Sequence, residues 1–206
     1  MPIDLWLAFA AASFVVLIIP GPTILLVISY ALTQGRRVAV ATALGVALGD
    51  FIAVSASLAG LGAIMLTSAW AFTALKWVGA AYLVFLGIKL LRSPPYLGDL
   101  STPAQTPAKR IFAHATIVTA LNPKGIIFII AFVPQFLSPE LPVMPQFLCM
   151  LATFVGLGAV NALGYALLAD QLRQRIRRPS VLTWVNRMGG VALVTMGALT
   201  ATMKRG

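Results

Sequence analysis

Five acidic residues, one cysteine (Cys149) and one histidine (His114) are all that 206 residues hold of those types. A single cysteine closes no intrachain disulfide, and one cysteine with one histidine cannot supply a Cys/His zinc set. No nucleophile–base pair stands out, so an enzyme is the least favoured class. Charge of either sign is scarce. Asp, Glu, Lys and Arg make up 10% of the chain and hydrophobic residues 60%, against about a quarter and about half in a soluble domain. That apolar fraction excludes a disordered basic tail. A soluble nucleic-acid binder would align its basic residues on one polar face, whereas these 15 fall in clusters between long charge-poor stretches. The proportions belong to an integral membrane protein.

A bilayer core about 30 Å thick takes roughly 20 apolar residues per helix. Six stretches qualify: 4–31, 38–66, 70–91, 111–136, 143–169 and 181–202. The chain starts Met1-Pro2-Ile3-Asp4-Leu5 with no Lys or Arg before Arg36, unlike the basic start of a signal peptide. The first span is therefore expected to be retained. Arg36, Arg37, Lys89, Arg92, Lys109, Arg110, Arg173, Arg175, Arg177 and Arg178 all fall on one side of a six-span arrangement, with only Lys204 and Arg205 opposite. The positive-inside rule then puts those loops in the cytoplasm and both termini outside. Trp6 and Trp70 would lie at the outer interface and Trp184 at the inner one. The basic excess is thus read as orientation and lipid contact, with no nucleic-acid partner.

The most polar stretch, 92–110, contains Pro94, Pro95, Pro103 and Pro107 and reads as a cytoplasmic linker. It separates a three-span half, 1–91, from a second, 111–206. The halves share an order of features. Pro20-Gly21-Pro22 interrupts span one and Asn122-Pro123-Lys124-Gly125 interrupts span four. Glycine-rich stretches recur in spans two and five, at 45–49 and 156–158. Residues 76–87 of span three overlay 186–197 of span six, with Gly79/Gly189, Leu83/Leu193, Val84/Val194 and Gly87/Gly197 coinciding. An odd-numbered repeat enters the membrane upside down the second time. The expected fold is all-α: six transmembrane helices as two inverted three-helix repeats, helices one and four broken at proline. Inverted repeats with interrupted helices at matching positions point to a secondary transporter.

Few groups within the spans carry chemistry. Pro20 and Pro22, with Gly21 between them, free backbone groups inside span one, and such backbone persists at membrane depth only beside protein or a water-filled cavity. Asp50 lies thirteen residues after Arg37, about 20 Å along a helix at 1.5 Å per residue. An intramembrane carboxylate marks a substrate or proton pathway or pairs with a cation, here Lys76 or Lys124. Lys124 lies beside Pro123 at similar depth and is a candidate for a carboxylate contact. Lys76 and Arg187 lie near span ends, where long basic side chains snorkel. Asn122, Asn161, Asn186 and Tyr165 could add hydrogen bonds within the bundle. Gly45 and Gly49 form a GxxxG pair, read as close helix packing. His114 is read as interfacial and Asp170 as solvated.

Pro20-Gly21-Pro22, the segment ending in Asp50, the Lys76/Gly79/Tyr82/Leu83/Gly87 pattern and Leu121-Asn122-Pro123-Lys124 followed by Phe132-Val133-Pro134-Gln135-Phe136 resemble the LysE superfamily, in its RhtB-type (homoserine/threonine) branch of amino-acid exporters. The resemblance runs over nearly the whole chain in the same motif order. It implies a proton-driven exporter of small amino acids in a bacterial inner membrane, with no cofactor. Combined with the residues, it makes Pro20, Gly21, Pro22, Asp50, Asn122, Pro123 and Lys124 the expected substrate site, with Asp50 also coupling protons. The expected partners are an amino acid, protons and lipid; a homo-oligomer stays open. The rivals are a metal or small-cation exporter, which would want several coordinating groups, and a non-transporting membrane scaffold or assembly factor.

Overall fold

The computed structural model describes residues 1–67 and 106–176, with isolated helical positions between 70 and 92 and between 183 and 198. The described residues are helical and contain no strand. Six α-helices are delimited: α1 (Ile3–Ile18), α2 (Pro22–Gln34), α3 (Ala39–Thr67), α4 (Ala108–Ala120), α5 (Pro123–Phe132) and α6 (Val143–Ile176). Two of them carry apolar stretches long enough to cross a membrane alone, Ala39–Ala63 of α3 and Val143–Ala169 of α6. Two bent pairs would each make a further span if taken as one broken helix, α1 with α2 at 55° and α4 with α5, extended to Phe136, at 42°. The breaks fall at Pro20-Gly21-Pro22 and Asn122-Pro123, as expected from the missing proline N–H groups. Expected spans three and six, the repeat overlay, Lys76 and most of the linker lie outside the described residues, apart from those isolated positions.

Boundaries shift where a helix needs no membrane. α4 begins at Ala108, so Lys109 and Arg110 form its first turn, and α6 runs past Asp170 to Ile176. Polar and basic residues extend a helix into water at little cost, because Lys, Arg and Gln are good helix formers. Gly35 closes α2 with φ 72° and ψ −169° and donates its N–H to Ala31 O, a positive-φ conformation that glycine adopts without strain. Between Phe136 and α6 the chain turns over Gln146, whose Nε2 donates to Ser138 O (3.0 Å) and Leu141 O (3.1 Å) while its Oε1 accepts from Ser138 N (2.9 Å). One buried side chain thereby satisfies a turn that lipid would leave unsatisfied.

The centre of the bundle is α3, which contacts α4, α5 and α6, while α6 also meets α1 and α2. One core cluster is aromatic and aliphatic: Phe9 and Val16 of α1, Val54, Leu58 and Leu61 of α3, Phe128 and Phe132 of α5, Phe147 and Phe154 of α6. The other is built of small residues, with Ala39, Ala43 and Val46 against Ala115, Ala162, Ala166 and Ala169. Outside these seams lie exposed Leu7, Phe14, Leu44, Phe51, Ile117, Leu148 and Val160, as expected of faces that meet lipid rather than water. Trp6 donates its indole N–H to Thr153 Oγ1 at 2.9 Å and ties α1 to α6.

The GxxxG pair does the packing expected of it. A Cβ on Gly45 would lie 2.6 Å from Phe112 O, and one on Gly49 would lie 2.6 Å from Thr119 Cβ and 2.7 Å from Thr116 O. Those neighbours include backbone, which cannot step aside. Gly49→Ala should therefore push α3 from α4 and destabilise the protein by about 1–3 kcal/mol. Gly60, on the same helix with nothing within 4 Å of its Cβ position, is the control. Gly60→Ala should be neutral or gain up to ~1 kcal/mol from helix propensity. Thermal unfolding in one detergent compares them, and equal shifts would remove the close-approach explanation.

Candidate functional site

The break in the first span leaves four carbonyls without helical partners, and each finds another. In an unbroken helix Val16 O and Ile18 O would accept from the N–H groups of residues 20 and 22. Both are prolines and have none. Lys124 Nζ, from the first turn of α5, donates to Val16 O at 3.0 Å and to Ile19 O at 2.8 Å. Asn161 Nδ2 donates to Leu17 O at 3.0 Å, and Tyr165 Oη to Ile18 O at 2.8 Å, both from α6. The C-terminal end of a helix carries partial negative charge, so a lysine ammonium there is favourably placed. Gly21 itself is extended, with φ −138° and ψ −172°, and needs no special backbone freedom. A side chain on it would meet Lys124: its Cβ would lie 3.3 Å from Nζ and 3.6 Å from Cε. Glycine stands there because the lysine crosses it.

The second break is held by its own residues. Asn122 caps α5, its side-chain oxygen accepting from Lys124 N at 3.1 Å, with Pro123 in the first turn. That is the ordinary way an asparagine satisfies a helix start. Asn122 Nδ2 also donates to Thr23 Oγ1 at 3.1 Å, and Thr119 Oγ1 donates to the same oxygen at 3.3 Å. Thr23 belongs to the first turn of α2, so the two broken helices are joined where each resumes.

Asp50 stands near the middle of the apolar stretch of α3, about 17 Å along the helix from Ala39 at 1.5 Å per residue. It is 7% exposed, and its Oδ2 is buried with no hydrogen-bond partner among the described residues. Gly158 of α6 backs it so closely that a Cβ there would collide with Oδ2. A buried, unpaired carboxylate oxygen costs stability. Lys124, one of the two cations expected beside it, acts on Asp50 as an opposite charge, but its ammonium donates to Val16 O and Ile19 O, so Oδ2 is left open to a ligand.

These groups surround one cavity of about 20 Å³, lined by Asp50, Asn122, Lys124 and Asn161 among its polar residues and by Val16 and Phe154 among its apolar ones. That volume admits a single water molecule. Of the expected site, Asp50, Asn122 and Lys124 line the cavity, whereas Pro20, Gly21, Pro22 and Pro123 shape the breaks beside it. Lys124 points its ammonium at carbonyls of α1, not into open space. Thr23, Gly158, Asn161 and Tyr165 complete the arrangement. The spacing 154, 158, 161, 165 places Phe154, Gly158, Asn161 and Tyr165 on one face of α6, a signal present in the sequence but silent about what that face meets. His114 is exposed and lies 2.9 Å from Tyr30 Oη through Nδ1, away from the cavity. No three of His, Cys, Asp and Glu converge as a metal-holding group among the described residues.

The model of the family described as LysE type translocator matches residues 14–204 of this chain. The chain belongs to the LysE family. An uncharacterized membrane protein of Vibrio cholerae is 35% identical over 204 residues, 99% of this chain and 100% of that protein. A homoserine/homoserine lactone efflux protein of Salmonella typhimurium is 34% identical over 205 residues, 99% of each chain. A leucine efflux protein of Salmonella choleraesuis is 32% identical over 141 residues, 68% of this chain and 66% of that one. No solved structure matches. With the LysE family goes membrane location, in keeping with the apolar helices: the protein is a multi-pass membrane protein whose named relatives are efflux proteins rather than enzymes.

Proposed function

We propose that this LysE-family protein exports small amino acids or close derivatives across the bacterial inner membrane by alternating access, in exchange for protons. The observation that carries this reading is Asp50: one buried carboxylate oxygen with no hydrogen-bond partner among the described residues, on a cavity bounded by two proline-broken helices. An amino-acid ammonium supplies the missing partner. The substrate carboxylate goes to the first turns of α2 and α5, whose residues Thr23, Ile24, Asn122 and Gly125 line the same cavity and whose helix N-termini favour anions. Lys124 neighbours that position with its ammonium already engaged by two carbonyls. A proton takes the place of the ammonium on Asp50 in the return step. Pro20, Gly21, Pro22 and Pro123 keep both helices open at this level.

The cavity volume is too small for any amino acid, so binding requires the site to widen toward one side. Movement of one three-helix repeat against its inverted counterpart is the expected route, with both termini on the periplasmic side. The efflux activities in the names of the two Salmonella relatives support the substrate class.

The decisive measurement is efflux of labelled homoserine, threonine, leucine and a wider amino-acid panel from vesicles containing the purified protein. Substrate-dependent release, accelerated by an acidic exterior and slowed when an ionophore collapses the gradient, is expected. No flux for any substrate would favour a non-transporting scaffold. Flux indifferent to the gradient would remove proton exchange and keep export.

A further inference from the structure

We propose that Lys124 is a built-in cation, a positioning residue whose ammonium occupies the place where a free monovalent cation would bind at the C-terminal end of the broken first helix. In broken-helix transporters, unwound carbonyls and half-helix C-terminal ends coordinate the coupling cation. The same chemistry is present here. Pro20 and Pro22 strip Val16 O and Ile18 O of their helical donors, and the negative end of the α1 dipole lies at that point. Into it reaches a tethered ammonium, 3.0 Å from Val16 O and 2.8 Å from Ile19 O. Gly21 provides the passage, since its missing Cβ would stand 3.3 Å from Nζ. Asp50 adds a carboxylate on the same cavity.

Two consequences follow. The protein needs no sodium ion, because its own side chain supplies the charge that the carbonyls require. The same ammonium fixes α1 to α5 across a sequence separation of 108 residues, so the broken end of the first span cannot move without the first turn of α5. Removing the side chain leaves two carbonyl oxygens, a helix C-terminus and Asp50 facing a space that a small cation fits.

The test is Lys124→Ala in the purified full-length protein, unfolded thermally at constant ionic strength in choline, sodium, potassium, methylammonium or ethylammonium chloride. The parent should be indifferent to the choice. Lys124→Ala should unfold cooler in choline and recover by about 5 °C or more with saturating small cation. Its efflux should reappear in the same salts. If Lys124→Ala does not accumulate, Lys124→Gln, which keeps an N–H donor for one carbonyl but no charge, enters the same titration. A flat response to every cation in the variant measured overturns the proposal. An unchanged unfolding temperature with a raised substrate KM also overturns it, and returns Lys124 to direct carboxylate binding. The efflux arm rests on the export reading; the unfolding arm needs no transport, so the two failures are distinguishable.

Discussion

Asp50→Asn should cut efflux at least about tenfold while leaving the helical bundle at least as stable as the parent. The two halves of that expectation come from one fact. Asp50 Oδ2 is buried with no hydrogen-bond partner among the described residues, so the carboxylate burdens the folded state: burying a charge costs several kcal/mol even after relaxation. Lys124, the opposite charge acting on it, gives its hydrogen bonds to Val16 O and Ile19 O. Asparagine keeps the shape, drops the charge and removes that burden. An amino-acid ammonium, however, gains its charge-assisted hydrogen bond only from the carboxylate. Such bonds contribute about 1.5–3 kcal/mol, so efflux should fall about 10- to 100-fold at subsaturating substrate. Asparagine also cannot exchange a proton, so any residual flux should ignore an imposed pH gradient. Initial efflux rates and unfolding temperatures on the same preparations decide it. Parental efflux would discard Asp50 as the ammonium site, and a markedly lower unfolding temperature would make it a structural residue instead.

How far the sequence reveals this site depends on which physical rule each residue obeys. Pro20 and Pro22 are legible because the missing N–H is a property of the residue itself, and the 55° bend appears where they stand. Asp50 is legible by depth alone, since a carboxylate amid an apolar helix needs a reason wherever its helix faces. Asn122 is legible as a hydrogen-bonding residue at the break; that its side chain caps α5 by accepting from Lys124 N comes from the structure. Lys124 is legible as a cation at membrane depth but not by its partner. The carbonyls it binds lie 105 and 108 residues away in sequence, and only the packing of α5 against α1 decides that they are its acceptors. Asn161 and Tyr165 are hidden for the same reason: two polar residues four apart share a face of α6, and the rotation of that helix selects Leu17 O and Ile18 O. Local chemistry is written in the chain; which orphan meets which donor is settled by the fold.

Gly158→Ala tests whether Asp50 and α6 are fitted to one another, and its effect on stability should depend on what stands at position 50. Two terms compete. Gly158 lies well inside α6, where alanine is favoured over glycine by about 1 kcal/mol. Against this, the new Cβ would collide with Asp50 Oδ2, with Asp50 Cγ next at 3.4 Å. The overlap costs about 1 kcal/mol, the low end for overpacking, because the end of a short side chain turns aside more cheaply than backbone. In the parent the terms nearly cancel, so the unfolding temperature should hardly move. Efflux should nevertheless fall about 10-fold, a change of about 1.4 kcal/mol, because the carboxylate has turned from its place on the cavity. In an Asp50→Ala background the collision is gone and only the propensity gain remains, so Gly158→Ala should stabilise by about 1 kcal/mol, or roughly 2–4 °C. The comparison is a double-mutant cycle between two residues in direct contact. An identical shift in both backgrounds would mean that Gly158 does not hold the carboxylate. A glycine standing against helix propensity where a side chain would dislodge an acid whose Oδ2 has no hydrogen-bond partner among the described residues is what a site built to present that acid to a ligand requires.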